Sequence, residues 1–244
     1  MSDSEDIFFV VHVPKTAGTA FYFYMRQNIP ALFIYPGVKD APETRLDLDA
    51  LRAIPDRRRA NLRAYLGHFP AFATELVGAT RTVTLLRDPV ERVISMLKMR
   101  QRPANPPTGN VLPRTPHMSL EEIYADPDVW PWLDNVQARL FAMQASDRPA
   151  SFLDPVALDA TRLDAAKERL ASIEVVGVQE DWLGVVRDAE RAFGWNPVSG
   201  HPRALVSEDV PVPGGLREQI AEDMVWDREL YAFAVELIAR RRAA

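Results

Sequence analysis

An unbroken apolar run that passes straight into a turn of small residues, and then into a helix, constrains this chain more than any other feature. Phe8, Phe9, Val10 and Val11 are aromatic or β-branched in succession, which predicts a strand covered on both faces rather than one with a wet side. Lys15, Thr16, Ala17, Gly18 and Thr19 follow at once, and from Ala20 to Gln27 the pattern predicts a helix. Small side chains in such a turn let a ligand approach the main chain. The unpaired N–H groups and dipole at the start of the helix favour an anion there. A phosphate-type cradle at the end of a buried strand is the expectation.

The rest of the chain repeats the alternation of strand and helix. Residues 64–69 (AYLGHF) predict a short strand running into a loop that carries His68, and residues 81–86 (RTVTLL) predict a buried strand ending at Arg87. After it Asp88 is placed as an N-cap, Pro89 as the first helical residue and Glu91 to close a capping box. Residues 173–178 (IEVVGV) predict another strand, followed by a helix with Trp182, Val185, Val186, Ala189 and Phe193 on one face. Further helices are expected around Leu46 to Ile54, over 119–124, over 134–144 with Gln137 three residues after its first polar residue, over 155–172 and at the C-terminus. Arg57, Arg58 and Arg59 read as a solvated basic face. Residues 101–118 contain five prolines and predict a long surface loop of the kind that serves as a lid. The expected fold is α/β: a P-loop-like parallel β-sheet flanked by helices, as one domain over residues 1–244, with 1–6 flexible. In such sheets ligands bind beyond the carboxyl ends of the strands, where both Lys15 and Arg87 fall.

Composition narrows the chemistry. With no cysteine the chain has no disulfide, thiol nucleophile or thiolate metal ligand, and its four histidines show no metal-ligand spacing, so no metal is expected. A net charge of −5 argues against nucleic acid as a partner and against long polyanionic substrates. No apolar run has the length of a membrane span, and the acidic start MSDSEDIFF is unlike a secretory signal, so a cytoplasmic protein is expected. Oligomeric state has no signature.

A Walker-type loop needs G-x-x-x-x-G-K-[ST], with lysine beside the helix and a hydroxyl for magnesium. Here Lys15 comes three residues before Gly18, so its ammonium would meet the distal end of a bound phosphate group. Arg87 suits bidentate contact with a second phosphate, and Ser95, two turns into the next helix, adds a hydroxyl. Two anion sites imply a ligand with two separated phosphates.

The pair HVPKTAGT and LLRDPVERVISML resembles the sulfotransferases that use 3′-phosphoadenosine 5′-phosphosulfate (PAPS), in particular the carbohydrate branch that includes heparan sulfate 2-O-sulfotransferase. Weaker likeness continues through YLGHF, DNVQARLF and VVGVQEDW. The resemblance implies that Lys15, Thr16, Ala17, Gly18, Thr19 and Ala20 form the loop for the 5′-phosphosulfate, and that Arg87 and Ser95 hold the 3′-phosphate. Ala20 departs from the hydroxyl residue common in the family, so one phosphate contact is missing there. The implied reaction moves a sulfuryl group from PAPS to an acceptor hydroxyl, on a sugar or glycoconjugate, and leaves adenosine 3′,5′-bisphosphate. Lys15 would neutralise the leaving oxygen, and His68, on the segment resembling the family's catalytic histidine, would be the base, with no metal required.

Plainer readings stand beside these. PKTAGT alone would be a tight strand-to-helix turn. His68 could orient substrate or serve the structure rather than act as base. His12 reads as a hydrogen-bonded structural residue. Arg92 reads as an exposed helix residue or a carboxylate's partner, and His117 and His201 as solvated. Gln137 and Arg139 could face the acceptor, or be a capping residue and a surface charge; Trp130 and Trp132 could stack on a sugar or cover the core. Two rival functions remain at this level: a small-molecule kinase with an atypical phosphate loop, and a non-catalytic nucleotide-binding module.

Overall fold

The computed structural model describes residues 6–37, 39–102, 112–197 and 211–243. Its strands are β1 (Phe8–Val11), β2 (Ile34–Tyr35), β3 (Ala64–Gly67), β4 (Arg81–Leu86) and β5 (Val175–Val178). They form one sheet in the order β2-β3-β1-β4-β5, and every pairing is parallel. The fold is α/β, as the alternation predicts. β1 lies between β3 and β4, and its continuous apolar run is explained by burial on both faces: Phe9 and Val11 join one core cluster, Phe8 and Val10 the other.

The helices are α1 (Gly18–Asn28), α2 (Leu48–Arg52), α3 (Asp56–Arg59), α4 (Ala73–Val77), α5 (Pro89–Gln101) and α6 (Leu120–Tyr124), then α7 (Val136–Ala142), α8 (Ala160–Ser172), α9 (Trp182–Phe193), α10 (Gly214–Asp223) and α11 (Val225–Ala243). Phe21, Tyr24 and Met25 of α1 and Val185, Val186 and Ala189 of α9 bury one face of the sheet. α5, α7, α8, α10 and α11 supply side chains to the larger core on the other face. No helix among the described residues is long and apolar enough to cross a membrane.

Several local expectations are corrected. The helix expected over 155–172 starts only at Ala160, where Asp159 accepts the Arg162 N–H at 2.7 Å and caps it. The basic run in α3 leaves Arg57 and Arg58 exposed, as the solvated reading has it, but is also tied down: Arg58 pairs with Asp40 and lies over the Tyr35 ring, while Arg59 donates to the carbonyls of Leu51 and Arg52. Of residues 101–118, Gln101 ends α5 and Thr115–His117 form a 3-10 turn that leaves His117 exposed; residues 103–111, and the lid expected of them, lie outside the described residues, as does His201.

Arg139 is a core residue rather than a surface charge, and Arg92, also in the core, is the carboxylate's partner of its two readings and not the exposed one. Arg92 is fully buried and donates to the carbonyls of Trp132 at 3.2 Å and Leu133 at 2.6 Å, with its Nε 3.7 Å from Asp227 Oδ2. Arg139 donates to the carbonyls of Pro131 and Asp134, each at 3.1 Å, and of Phe152 at 2.8 Å. The physical reason is the buried, irregular stretch before α7, whose carbonyls have no regular ladder to satisfy them; guanidinium groups supply several fixed donors each. Trp132 is buried and Trp130 packs against the core, which is the plainer of their two readings.

Candidate active site

Because all five strands run the same way, their carboxyl ends share one edge of the sheet. The three adjacent strands β3, β1 and β4 deliver His68, the His12-to-Gly18 turn and Arg87 to that edge. Of the residues expected to hold a phosphorylated ligand and to act on it, those of the turn, Arg87 and His68 are therefore brought to one edge.

The turn after β1 has two non-glycine residues in the left-handed region, Lys15 at φ 72° and Ala17 at φ 68°, flanking Thr16. Positive φ at non-glycine residues is costly and gathers at ligand-binding sites, and alternation of this kind points successive N–H groups to one side. The helix then begins at Gly18, two residues earlier than the sequence pattern suggests, with no side chain capping it. By contrast α5 is capped by Asp88 and α9 by Asp181, so α1 is left open where an anion would sit. Thr16 is buried and donates its hydroxyl to the Val13 carbonyl at 2.9 Å, so it braces the turn; Thr19 is exposed and Ala20 is buried. The Lys15 ammonium is partly buried, and its pKa is pushed down to about 8, first by burial and then by the nearby Arg102 and Arg87 cations. A cluster of cations of that kind favours an anionic ligand.

Arg87 is positioned by two side chains from distant segments. Gln137, fully buried, accepts the Arg87 N–H at 3.0 Å through Oε1 and donates to the Arg87 carbonyl at 2.9 Å through Nε2. The Glu180 carboxylate accepts the Asp88 N–H at 3.1 Å and the Tyr231 hydroxyl at 3.1 Å. Held so, Arg87 turns its guanidinium toward the turn and donates to the Lys15 carbonyl at 3.3 Å. Burial lowers the Arg87 pKa, with Glu180, Glu91 and Asp88 opposing. Ser95 is buried in α5. Two capping boxes are corrected here: Asp88 accepts the Glu91 N–H at 3.0 Å, but the Glu91 carboxylate pairs with Arg217, and Gln137 caps nothing because α7 starts after Asn135 in the left-handed region.

His68 is anchored at both ends. Its backbone N–H donates to the Arg45 carbonyl at 2.7 Å, and its Nδ1 lies 2.8 Å from the His12 carbonyl oxygen. A carbonyl only accepts, so Nδ1 carries the proton and Nε2 is the open acceptor. Burial, opposed by that hydrogen bond and aided by Arg45, takes the His68 pKa down to about 4, and the ring is neutral at physiological pH. The His12 ring lies with its centroid 4.2 Å from that of His68, and its nitrogens have no hydrogen-bond partner among the described residues. The hydrogen bond at His12 is thus made through its carbonyl, not through its ring. Phe152 closes the other side of His68 at 5.6 Å between centroids.

Sequence reasoning gives Glu180 no role here, reads His12 as structural, and offers Gln137 as a residue facing the acceptor or as a cap, not as the clamp on Arg87. Gln137 and Glu180 do lie in the segments DNVQARLF and VVGVQEDW that carry the weaker resemblance, and both clamp the start of the second motif. Among the described residues no three His, Asp or Glu side chains are grouped as a metal ion would need. No protein-family model matches the chain, and no curated protein matches it.

Proposed function

We propose that the protein is a PAPS-dependent sulfotransferase that places a sulfuryl group on an acceptor hydroxyl of a sugar or glycoconjugate and releases adenosine 3′,5′-bisphosphate. The observation that carries the reading is the meeting of Lys15, Arg87 and His68 on one sheet edge, with Arg87 donating to the Lys15 carbonyl. An ammonium and a guanidinium on neighbouring segments match a nucleotide with two separate phosphate groups. The residues fit such a donor: the open N-terminus of α1 and the Lys15 ammonium would hold the 5′ end, and Arg87 with Ser95 the 3′-phosphate.

The donor supplies the sulfuryl group, and the chain supplies charge, orientation and a base. Lys15 neutralises negative charge developing on the bridging oxygen, a service worth most in a partly dry site. His68, neutral and with Nε2 open, takes the proton from the acceptor hydroxyl. Calorimetry with adenosine 3′,5′-bisphosphate tests the reading: binding without magnesium is expected, together with bisphosphate release when PAPS and a hydroxyl acceptor library are supplied. Failure to bind the bisphosphate, or magnesium-dependent binding of ATP in its place, would overturn it in favour of a kinase. Tight bisphosphate binding with no release from any acceptor would leave a nucleotide-binding module.

A further inference from the structure

We propose that the His12 imidazole is itself a contact of the bound anion, so that the cradle combines main-chain amides, the Lys15 ammonium and a neutral ring N–H. This rests on the reading of the turn as an anion site and adds a residue to it. His12 follows β1 directly, yet its ring folds back over the turn: a Cβ built on Gly18 would stand 1.7 Å from His12 Nε2 and 2.1 Å from its Cδ2. Gly18 does not have a positive φ, so its backbone conformation does not demand glycine; the missing side chain is the space the imidazole occupies.

The position of that nitrogen decides its role. Nε2 stands against the first residue of α1, whose N-terminal amides no side chain caps, and it has no partner of its own among the described residues. A donor there shares whatever ligand the amides hold. Burial first, and then the neighbouring His68, Arg45 and Lys15, hold its pKa well below the usual imidazole value, so the ring enters uncharged; a neutral ring carries one N–H, and an anion held at the turn would draw it to Nε2. His68 beside it has the opposite tautomer, Nδ1–H with Nε2 open, because His12's own carbonyl takes the Nδ1 proton. One imidazole of the pair is then a donor to the anion and the other an acceptor for the hydroxyl.

The test uses the full chain labelled with nitrogen-15 and inorganic pyrophosphate as probe, reading the ring nitrogens by long-range proton–nitrogen correlation. Adding pyrophosphate is expected to shift the amides of residues 18–20 and His12 Nε2 together, with His12 in the Nε2–H tautomer. His12→Phe should weaken pyrophosphate binding roughly tenfold, the worth of one hydrogen bond to a charged group, and His12→Gln, which keeps a donor, should recover part of the loss. If the amides respond while the His12 nitrogens stay still and His12→Phe binds as tightly as wild type, the proposal falls and the anion site stands. If neither amides nor ring respond, both fall. The wild-type spectra decide the matter even if a variant fails to fold.

Discussion

The Arg87 guanidinium donates to the carbonyl oxygen of Lys15 across 3.3 Å, joining two segments 72 residues apart in sequence. The contact follows from sheet order. β1 and β4 are paired in parallel from Phe8 with Arg81 to Val11 with Thr84, so the turn after one strand and the residue that follows the other emerge side by side. Gln137 fixes both backbone polar groups of Arg87, which leaves the side chain little choice of direction. The Lys15 turn and the Arg87 guanidinium are thereby held as one unit.

Arg87→Ala should weaken adenosine 3′,5′-bisphosphate binding roughly 10- to 100-fold, the worth of one or two hydrogen bonds to a charged phosphate. Adenosine 5′-monophosphate, which lacks the 3′ group, should lose little. Calorimetry with both nucleotides separates the cases, and an equal loss for both would remove Arg87 from the 3′-phosphate. Arg87→Lys should fall between, since an ammonium keeps the charge but not the paired donor geometry.

Gln137→Ala should destabilise the fold by about 3 kcal/mol, because it strips the partner from two peptide groups at a buried position. Urea unfolding reads this cost directly. A cost below about 1 kcal/mol would mean that water replaces the amide at no loss and that Arg87 needs no clamp.

Much of this arrangement was legible because it is local. The run Phe8 to Val11 has no polar face, so a doubly covered strand was its natural reading, and the Asp88–Pro89 start of α5 is written in adjacent residues. Gln137, which the sequence offers as a residue facing the acceptor or as a cap, shows the same reason in reverse. Its spacing from Asp134 imitates a capping box, whereas its partner is the backbone of Arg87, 50 residues earlier. Arg92 and Arg139 look like surface charges on short helices until the irregular, buried carbonyls of residues 131–134 are seen beside them. The contact of His12 with His68 spans 56 residues and exists only because β1 and β3 are neighbours, a fact of topology that no periodicity encodes.

Bisphosphate affinity should fall as pH rises through about 8, because Lys15 binds the anion only when protonated and its pKa in the free protein is pushed down to about 8 by burial, Arg102 and Arg87. A bound anion raises that pKa, so binding near pH 8 should take up a proton, visible as a dependence of the heat on buffer ionisation. Lys15→Arg, charged throughout this range, should bind with a flat profile between pH 7 and 9, roughly, since guanidinium does not titrate there. A wild-type profile that is equally flat would take Lys15 out of the anion site.

Asp227→Ala should cost about 3–5 kcal/mol, the range for leaving one member of a buried ion pair alone. Asp227 and Arg92 are both fully buried, and Asp227 Oδ1 also accepts the Ala138 N–H at 2.7 Å in the first turn of α7. Asp227→Asn keeps an acceptor for Ala138 and leaves Arg92 its two carbonyls, so it should cost clearly less. Equal losses in thermal or urea unfolding would show that the charge of Asp227, and not its acceptor, carries the effect.

His68→Asn should lower turnover by roughly 10²- to 10⁴-fold, the usual contribution of a positioned base, while bisphosphate affinity stays near wild type. The split is expected because the His68 ring reaches the turn only through His12, to whose carbonyl it donates, and its open Nε2 is the atom left for the acceptor. The acid limb of the rate profile carries the same signature. A base works only when unprotonated, so with the His68 pKa taken down to about 4 by burial, the wild-type rate should hold steady from neutral pH down to about 5 and fall only below it. In kcat/KM, which reports the free enzyme, Lys15 gives the alkaline limb, falling above about 8, so that profile is a broad bell whose acid limb disappears in His68→Asn and whose alkaline limb remains; in kcat the alkaline limb lies higher, because the bound anion raises the Lys15 pKa. Turnover unchanged in His68→Asn would place the base elsewhere and leave His68 as the residue that fixes the His12 carbonyl; turnover lost together with bisphosphate binding would mean that the substitution disturbs the cradle itself, through the ring contact with His12 at 4.2 Å.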